Sequence, residues 1–212
     1  MPSKIFLTSS VSFVAKDIAK KLGGVKNKKI LYIYTAAEKK LGADWQIADR
    51  TSLVKVGFKV IDYTITGKTS AAIKKDINNV DAIYVGGGNQ FYLLQQIQLT
   101  KSAPIFRQAV KNGKIYISTS AGSMVSGPDI YSSYKLDKVK EAPRLKGYKG
   151  LGLVDLSVLP HWGSDKQKNN YRLQRLANNY NIKNKLILLT NYQYLQIEDG
   201  WYRMIDVKNK TA

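Results

Sequence analysis

The residues best suited to chemistry lie at a serine that follows a short run of β-branched and aromatic residues. The segment Ile115-Tyr-Ile-Ser-Thr119 leads directly into Ser120-Ala121-Gly122. Small residues after the serine allow a sharp strand-to-helix turn, because no bulky Cβ obstructs the bend. Such a turn presents the Ser120 hydroxyl as a nucleophile and directs the backbone N–H of Ala121 toward the group under attack. The sequence therefore predicts a nucleophilic serine together with one donor of an oxyanion hole.

The second reactive group is His161, the single histidine of the chain, so any serine–histidine mechanism must use it. It follows Pro160 at the end of an apolar run, which predicts a position at a strand terminus like that of Ser120. A lone histidine is also compatible with an ordinary surface or packed residue. Its combination with a serine turn and a glycine-rich loop favours the catalytic interpretation.

The glycine-rich loop Gly86-Gly87-Gly88-Asn89 follows the apolar segment Asp81–Val85. Three glycines leave backbone N–H groups open to a ligand, and the Gly88 N–H would pair with that of Ala121 as a second oxyanion donor. We assign Gly87 and Asn89 to substrate binding in the same loop. A plain strand-to-helix turn is the alternative, and the glycine spacings of phosphate-binding and dinucleotide-binding loops are not present.

Strand and helix patterns alternate along the chain. This order predicts a single α/β domain over residues 1–212, with a doubly wound, mainly parallel sheet sandwiched by helices. In such folds ligands bind beyond the carboxyl ends of the strands, where the Gly86–Gly88 loop and Ser120 are expected. The last two strands are joined by Glu198-Asp199-Gly200, and the Asp-Gly pair predicts a C-terminal β-hairpin.

Composition narrows the class of protein. Of the 212 residues, 44% are hydrophobic, and no apolar run approaches the roughly 18 residues that a membrane span needs. The first residues lack the pattern of a signal peptide, so we expect a cytoplasmic protein. The absence of cysteine excludes disulfides, thiolate metal sites and a cysteine nucleophile.

The formal net charge of +19 would attract nucleic acid, which is a third functional hypothesis. The lysines are scattered over helix ends and loops, and no nucleic-acid-binding motif accompanies them. We therefore interpret the charge as a solvated basic surface and expect no nucleic-acid partner and no membrane partner. A monomer and a homodimer are both compatible with the sequence.

Five segments carry a resemblance to a known family: Phe6-Leu-Thr-Ser-Ser10, Val85-Gly-Gly-Gly-Asn-Gln-Phe-Tyr-Leu-Leu94, Thr119-Ser-Ala-Gly122, Gly150-Leu-Gly-Leu-Val-Asp155 and Leu159-Pro-His161. Together they resemble peptidase E, the aspartyl dipeptidase family of serine peptidases. That family is similar to cyanophycinase and to class I glutamine amidotransferase-like domains. The likeness covers nearly the whole chain, in order and spacing.

The resemblance implies a division of roles among these residues. Ser120 would be the nucleophile, His161 the general base and acid, and Gly88 and Ala121 the oxyanion donors. It also implies an α/β sandwich, no metal or other cofactor, and cleavage of short peptides after an N-terminal aspartate.

One position departs from the family pattern. The family carries a glutamate after its histidine that orients the imidazole, and the alignment places Gln193 there. An amide cannot stabilise an imidazolium with a full negative charge. Three interpretations stay open: a weaker Ser120-His161-Gln193 triad, another carboxylate such as Asp137, Glu198 or Asp199, and an impaired homologue that binds a small acidic ligand or a partner.

The sequence indicates less clearly which residues select the substrate. Asp137 lies in the loop after the nucleophile, where the family can carry an acid near the site, and a solvated loop aspartate is the alternative. An aspartyl side chain of the substrate needs a cation, for which Arg172, Lys166 and Lys168 are candidates. Trp162 would wall the pocket beside His161 or belong to the core.

Overall fold

The computed structural model describes residues 4–130, 139–163 and 185–208. A seven-stranded sheet forms its centre, with the strand order β3-β2-β4-β5-β1-β8-β9. The first five strands run parallel to one another, whereas β8 pairs antiparallel with β1 and β9 antiparallel with β8. Strands β6 and β7 form a separate, parallel two-stranded sheet. The predicted mainly parallel α/β fold is therefore confirmed.

The strands are short and the helices fill the intervals between them. The strands are β1 (Lys4–Thr8), β2 (Lys29–Ile33), β3 (Lys59–Tyr63), β4 (Ala82–Val85), β5 (Ile115–Thr119), β6 (Leu156–Leu159), β7 (Lys185–Leu188), β8 (Gln193–Glu198) and β9 (Trp201–Asp206). The helices are α1 (Val11–Lys21), α2 (Asp44–Lys55), α3 (Ser70–Asn78), α4 (Gln90–Leu99), α5 (Ala103–Lys111) and α6 (Ala121–Ser126).

Apolar cores lie on both faces of the central sheet. On one face α1 and α2 bury residues such as Val14, Ile18 and Leu53. On the other face α3 to α6 pack residues that include Phe106 and Val125. A sheet covered on both sides explains why its central strands are apolar almost throughout.

The C-terminal hairpin is confirmed, since β8 and β9 pair antiparallel around Asp199-Gly200. Both turn residues have positive φ, 49° and 80°, as a tight two-residue hairpin turn requires. A 3₁₀ helix at Thr35–Lys40 after β2 was not anticipated. The sequence pattern also predicts a helix at Lys166–Asn179, a segment that lies outside the described residues.

The residues of the predicted site lie at the carboxyl ends of the strands. Strand β4 ends at the Gly86–Gly88 loop, β5 at Ser120 and β6 just before His161.

None of the helices in the described ranges has the length and apolar character that a bilayer crossing demands.

Candidate active site

Ser120 lies on the sharp turn between β5 and α6, as the sequence predicts. Its φ of 50° and ψ of −110° are outside the regions that non-glycine residues ordinarily occupy. Its backbone N–H donates to the carbonyl of Thr8, 3.0 Å away, which ties the turn to the end of β1. A Cβ on Gly122 would overlap the carbonyl of Val85, so the turn can approach β4 only with glycine at this position.

Buried hydroxyls hold the turn in place. Ser123, fully buried in α6, donates to the Thr8 carbonyl at 2.7 Å and accepts from the Thr8 N–H at 3.1 Å. Its hydroxyl also hydrogen-bonds the Ser118 hydroxyl at 2.9 Å. The strained backbone of Ser120 is thus fixed by bonds from both sides, which keeps its side chain in one place.

His161 reaches this serine from the end of β6. Its Nε2 lies 2.9 Å from Ser120 Oγ. Its φ of 61° turns the backbone sharply after Pro160. The His161 N–H donates to the hydroxyl of Ser9 at 3.1 Å, and that hydroxyl donates to the Leu189 carbonyl at 2.8 Å. The fully buried Ser9 therefore links the histidine to the segment that follows β7.

The other ring nitrogen of His161 contacts an asparagine. Nδ1 lies 2.7 Å from Oδ1 of Asn191. An amide oxygen is only an acceptor, so the ring carries its proton on Nδ1 and donates it to Asn191. Nε2 is then left as the acceptor for the Ser120 hydroxyl. The arrangement selects the tautomer that a general base needs, with a neutral group in place of a carboxylate.

The assignment of Gln193 as the orienting group is corrected by this geometry. The Gln193 Nε2 donates to Asp206 Oδ2 at 3.0 Å, and its Oε1 accepts the Thr190 N–H at 3.1 Å. The backbone N–H of Gln193 also donates to the Thr190 carbonyl, closing the turn that carries Asn191. The Gln193 side chain therefore stabilises this turn from the start of β8. The residue that contacts the His161 ring is Asn191, two residues earlier.

The two predicted oxyanion donors differ in exposure, since Gly88 is exposed and Ala121 is buried. Among the described residues, no acceptor engages the N–H of Gly88 or of Ala121. Gly88 is exposed, with a φ of 135°, and a Cβ there would overlap the Ala36 carbonyl. The loop conformation that opens its N–H thus depends on glycine. Two such donors beside a serine can stabilise the charge of a tetrahedral intermediate.

The other residues of the loop have different surroundings. Gly87 is buried, and a Cβ on it would lie 3.3 Å from Ser120 Cβ. Oδ1 of Asn89 accepts the N–H groups of Phe91 and Tyr92 and caps α4, while its Nδ2 donates to Glu141 at 3.0 Å. Asn89 thus supports the loop, and its assignment to substrate binding stays a prediction, as does that of Gly87.

The other residues assigned to substrate binding also stay predictions. Trp162 is half-buried beside His161, and its backbone N–H donates to the Leu189 carbonyl at 2.9 Å. Asp137 and Arg172 lie outside the described residues. In the ranges that the structure describes, no three His, Asp or Glu side chains come together as a metal site would require.

Asn191 and Ser9 were missed by the sequence reasoning. Asn191 lies three residues after the end of β7, so it is close to a strand end, as Ser120 and His161 are. A search for polar residues at strand ends, rather than for an acid, would have found it. Ser9 follows β1 in the same way.

A buried carboxyl group lies behind the serine turn. Asp49 of α2 is 2% exposed and accepts from the Tyr84 hydroxyl at 2.8 Å and from the Ser12 N–H at 3.1 Å. Burial away from water raises its pKa from 3.8 to about 6. The Tyr84 hydroxyl in turn contacts Thr119, the residue before Ser120.

The chain is similar to known peptidases over most of its length. The model of peptidase family S51 matches residues 4–205 of the chain. An uncharacterized peptidase of Pasteurella multocida is 33% identical over 159 residues, which are 75% of this chain and 77% of that protein. Peptidase E of a Nostoc species is 29% identical over 204 residues, covering 94% of this chain and 80% of its own length.

A solved structure has the same fold. The crystal structure of a Listeria monocytogenes EGD-e protein assigned to peptidase E superposes with a TM-score of 0.88 at 25% identity. The superposition covers 98% of this chain and 100% of the Listeria chain.

Proposed function

Because the chain belongs to peptidase family S51 and is therefore a peptidase, we propose that it hydrolyses small peptides of the Asp-X dipeptide type through an acyl-enzyme on Ser120. The observation that carries the proposal is the continuous row of hydrogen bonds from Ser120 Oγ through His161 to Asn191 Oδ1, 2.9 Å and 2.7 Å long. This row supplies a nucleophile, a base and a group that orients the base.

The proposed acylation follows from the positions of these groups. Ser120 Oγ attacks the scissile carbonyl carbon while its proton moves to His161 Nε2. The carbonyl oxygen becomes an oxyanion that accepts hydrogen bonds from the N–H groups of Gly88 and Ala121. When the carbonyl re-forms, the C–N bond breaks and the leaving amine takes the proton from Nε2. The N-terminal residue of the substrate is then esterified to Ser120.

The proposed deacylation uses the same groups in reverse. Water attacks the ester as His161 Nε2 accepts one of its protons, and collapse of the intermediate returns that proton to Ser120 Oγ. In both steps the transient imidazolium keeps its Nδ1–H bond to Asn191. Because this partner is a neutral amide, it orients the ring and stabilises the positive charge by a dipole only, which predicts a slower enzyme than a carboxylate would support.

The preference for an N-terminal aspartate comes from the likeness to peptidase E proteins. An aspartyl carboxylate requires a cation in its subsite, and Arg172 stays our candidate from the sequence. The competing hypothesis is an impaired homologue that binds a small acidic ligand or a partner. The acceptor oxygen that Asn191 turns toward Nδ1 favours the active enzyme over this alternative.

The test is hydrolysis of Asp-X dipeptides by the purified full chain and its Ser120→Ala variant. We expect the variant to lose at least about 10³-fold in kcat. Ser52→Ala is the matched control, since that hydroxyl bonds the Asp49 carbonyl within α2, and its activity should equal that of the wild type. Equal hydrolysis by Ser120→Ala would remove Ser120 from the mechanism. A wild type that binds these dipeptides without cleaving them would support the impaired homologue instead.

A further inference from the structure

A large aromatic side chain stands beside the nucleophile without being covered by the protein. Trp45, in the first turn of α2, is 41% exposed. A methyl-sized group on Gly87 would lie 3.5 Å from Cζ3 of this indole and 3.3 Å from Ser120 Cβ. The edge of the indole and the carbon that carries the nucleophile therefore flank the same point of the loop. A substrate group that binds beside Ser120 and lies over Gly87 would therefore contact the indole.

The backbone at Trp45 is held firmly although its ring is exposed. The next residue, Gln46, is buried, and its carbonyl accepts the Tyr32 hydroxyl at 3.1 Å. Oε1 of Gln46 accepts the Gly42 N–H at 3.0 Å, which fixes the chain just before α2. Tyr32 is itself buried and stacked on Tyr84, with ring centroids 4.7 Å apart. The indole is thus presented by a rigid support, as a binding wall must be.

The chemistry of this wall excludes one of the two substrate side chains. An indole offers a broad apolar face, and the residue before it, Asp44, is an exposed acid. An aspartate carboxylate of the substrate would be repelled by Asp44 there and would lose hydration against the apolar indole. In an Asp-X dipeptide, the side chain that fits Trp45 is that of X.

We propose that Trp45 is a specificity-determining residue, which forms the wall of the subsite for the leaving residue and selects peptides with an apolar or aromatic side chain there. This inference rests on the proposed function, because it takes Ser120 as the nucleophile and an N-terminal aspartate as the acyl residue. Burial of the substrate side chain against the indole removes apolar surface of both from water.

The experiment measures kcat/KM of the full chain for Asp-Phe, Asp-Leu and Asp-Gly. We expect the wild type to prefer Asp-Phe over Asp-Gly. Trp45→Ala should lower kcat/KM for Asp-Phe by about tenfold, mainly through KM, and for Asp-Gly by less than about twofold. Trp45→Phe keeps an aromatic wall and should stay within about threefold of the wild type on Asp-Phe. Trp201→Ala, a change at a 74% exposed tryptophan of β9, is the matched control and should alter neither substrate.

The outcomes separate this inference from the proposed function. If Trp45→Ala lowers kcat/KM equally for Asp-Phe and Asp-Gly, or changes neither, the assignment of Trp45 as a specificity residue is overturned. The proposed function then stands, because the wild type still cleaves the series. A wild type that cleaves none of the three dipeptides overturns the proposed function, and the assignment of this subsite with it.

Discussion

Replacement of Asn191 by aspartate tests the proposed orientation of the catalytic base in the most quantitative way. Oδ1 of Asn191 lies 2.7 Å from Nδ1 of His161, so a carboxylate at the same position would contact the ring that gains a positive charge during the reaction. Asn191→Asp should therefore increase kcat, whereas Asn191→Ala should decrease it.

The expected size of the gain follows from electrostatics. Two opposite unit charges about 4 Å apart attract by about 4 kcal/mol at an effective dielectric constant of 20. The half-buried site removes part of this energy, because the carboxylate loses hydration when the substrate covers it. A net gain of about 1–3 kcal/mol corresponds to an increase of about 5- to 150-fold in kcat. Asn191→Ala removes the hydrogen bond to His161 Nδ1 and with it the preference for one tautomer of the ring. We expect kcat to fall by about 10- to 100-fold.

The assay compares kcat and its pH dependence for the wild type, Asn191→Asp and Asn191→Ala on one Asp-X dipeptide. In Asn191→Asp the acidic limb of the kcat profile should move to higher pH, because the new carboxylate favours the protonated ring. Gln193→Glu is the contrasting variant. It places a second carboxylate beside Asp206, so it should lower the stability of the protein. It should not increase kcat as Asn191→Asp does.

Two results would refute this reasoning. One is an Asn191→Ala variant that turns over at the wild-type rate. The other is an increase of kcat in Gln193→Glu rather than in Asn191→Asp, which would restore the sequence-based assignment of the orienting group.

Two other predictions concern the supports of the site. Burial raises the pKa of Asp49 to about 6, so the folded protein holds this proton more tightly than the unfolded chain. The resulting stability is present below about pH 4 and is lost as pH rises through about 6, for a total of about 3 kcal/mol. In urea unfolding, the stability of Asp49→Asn relative to the wild type should therefore rise by up to this amount between pH 4 and pH 7.5, and a constant difference would contradict the assignment. Gly88→Ala should lower kcat by about 10²-fold or more, because the new Cβ overlaps the Ala36 carbonyl and displaces an oxyanion donor. Gly67→Ala is its control, since Gly67 also has a positive φ of 73° but open space around it, and equal losses of kcat in both variants would argue against the oxyanion role.

The sequence was sufficient for the parts of the fold and of the candidate site that local patterns determine. Apolar runs that end in glycine or serine located strands β4 and β5 and the turns after them. The Asp199-Gly200 pair located the hairpin. The contact between Ser120 and His161 could be expected because both residues follow strands.

The sequence was insufficient where long-range packing decides. Gln193 and Asn191 are both amides in one short segment, and only the start of β8 at Gln193 determines which of them reaches the ring. Trp45 gave no signal, since a tryptophan at a helix start is compatible with many surroundings. Asp49 looked like one of many helical acids, and its burial follows from the packing of α2 against α1 and Tyr84.

The most direct test of the proposed nucleophile is covalent labelling with a fluorophosphonate, followed by intact-protein mass spectrometry and peptide mapping. The proposal predicts one adduct per chain, located on Ser120, absent from Ser120→Ala and formed much more slowly in His161→Ala. No adduct on the wild type, or an adduct at another residue, would contradict the claim that this chain activates Ser120 through His161 and Asn191.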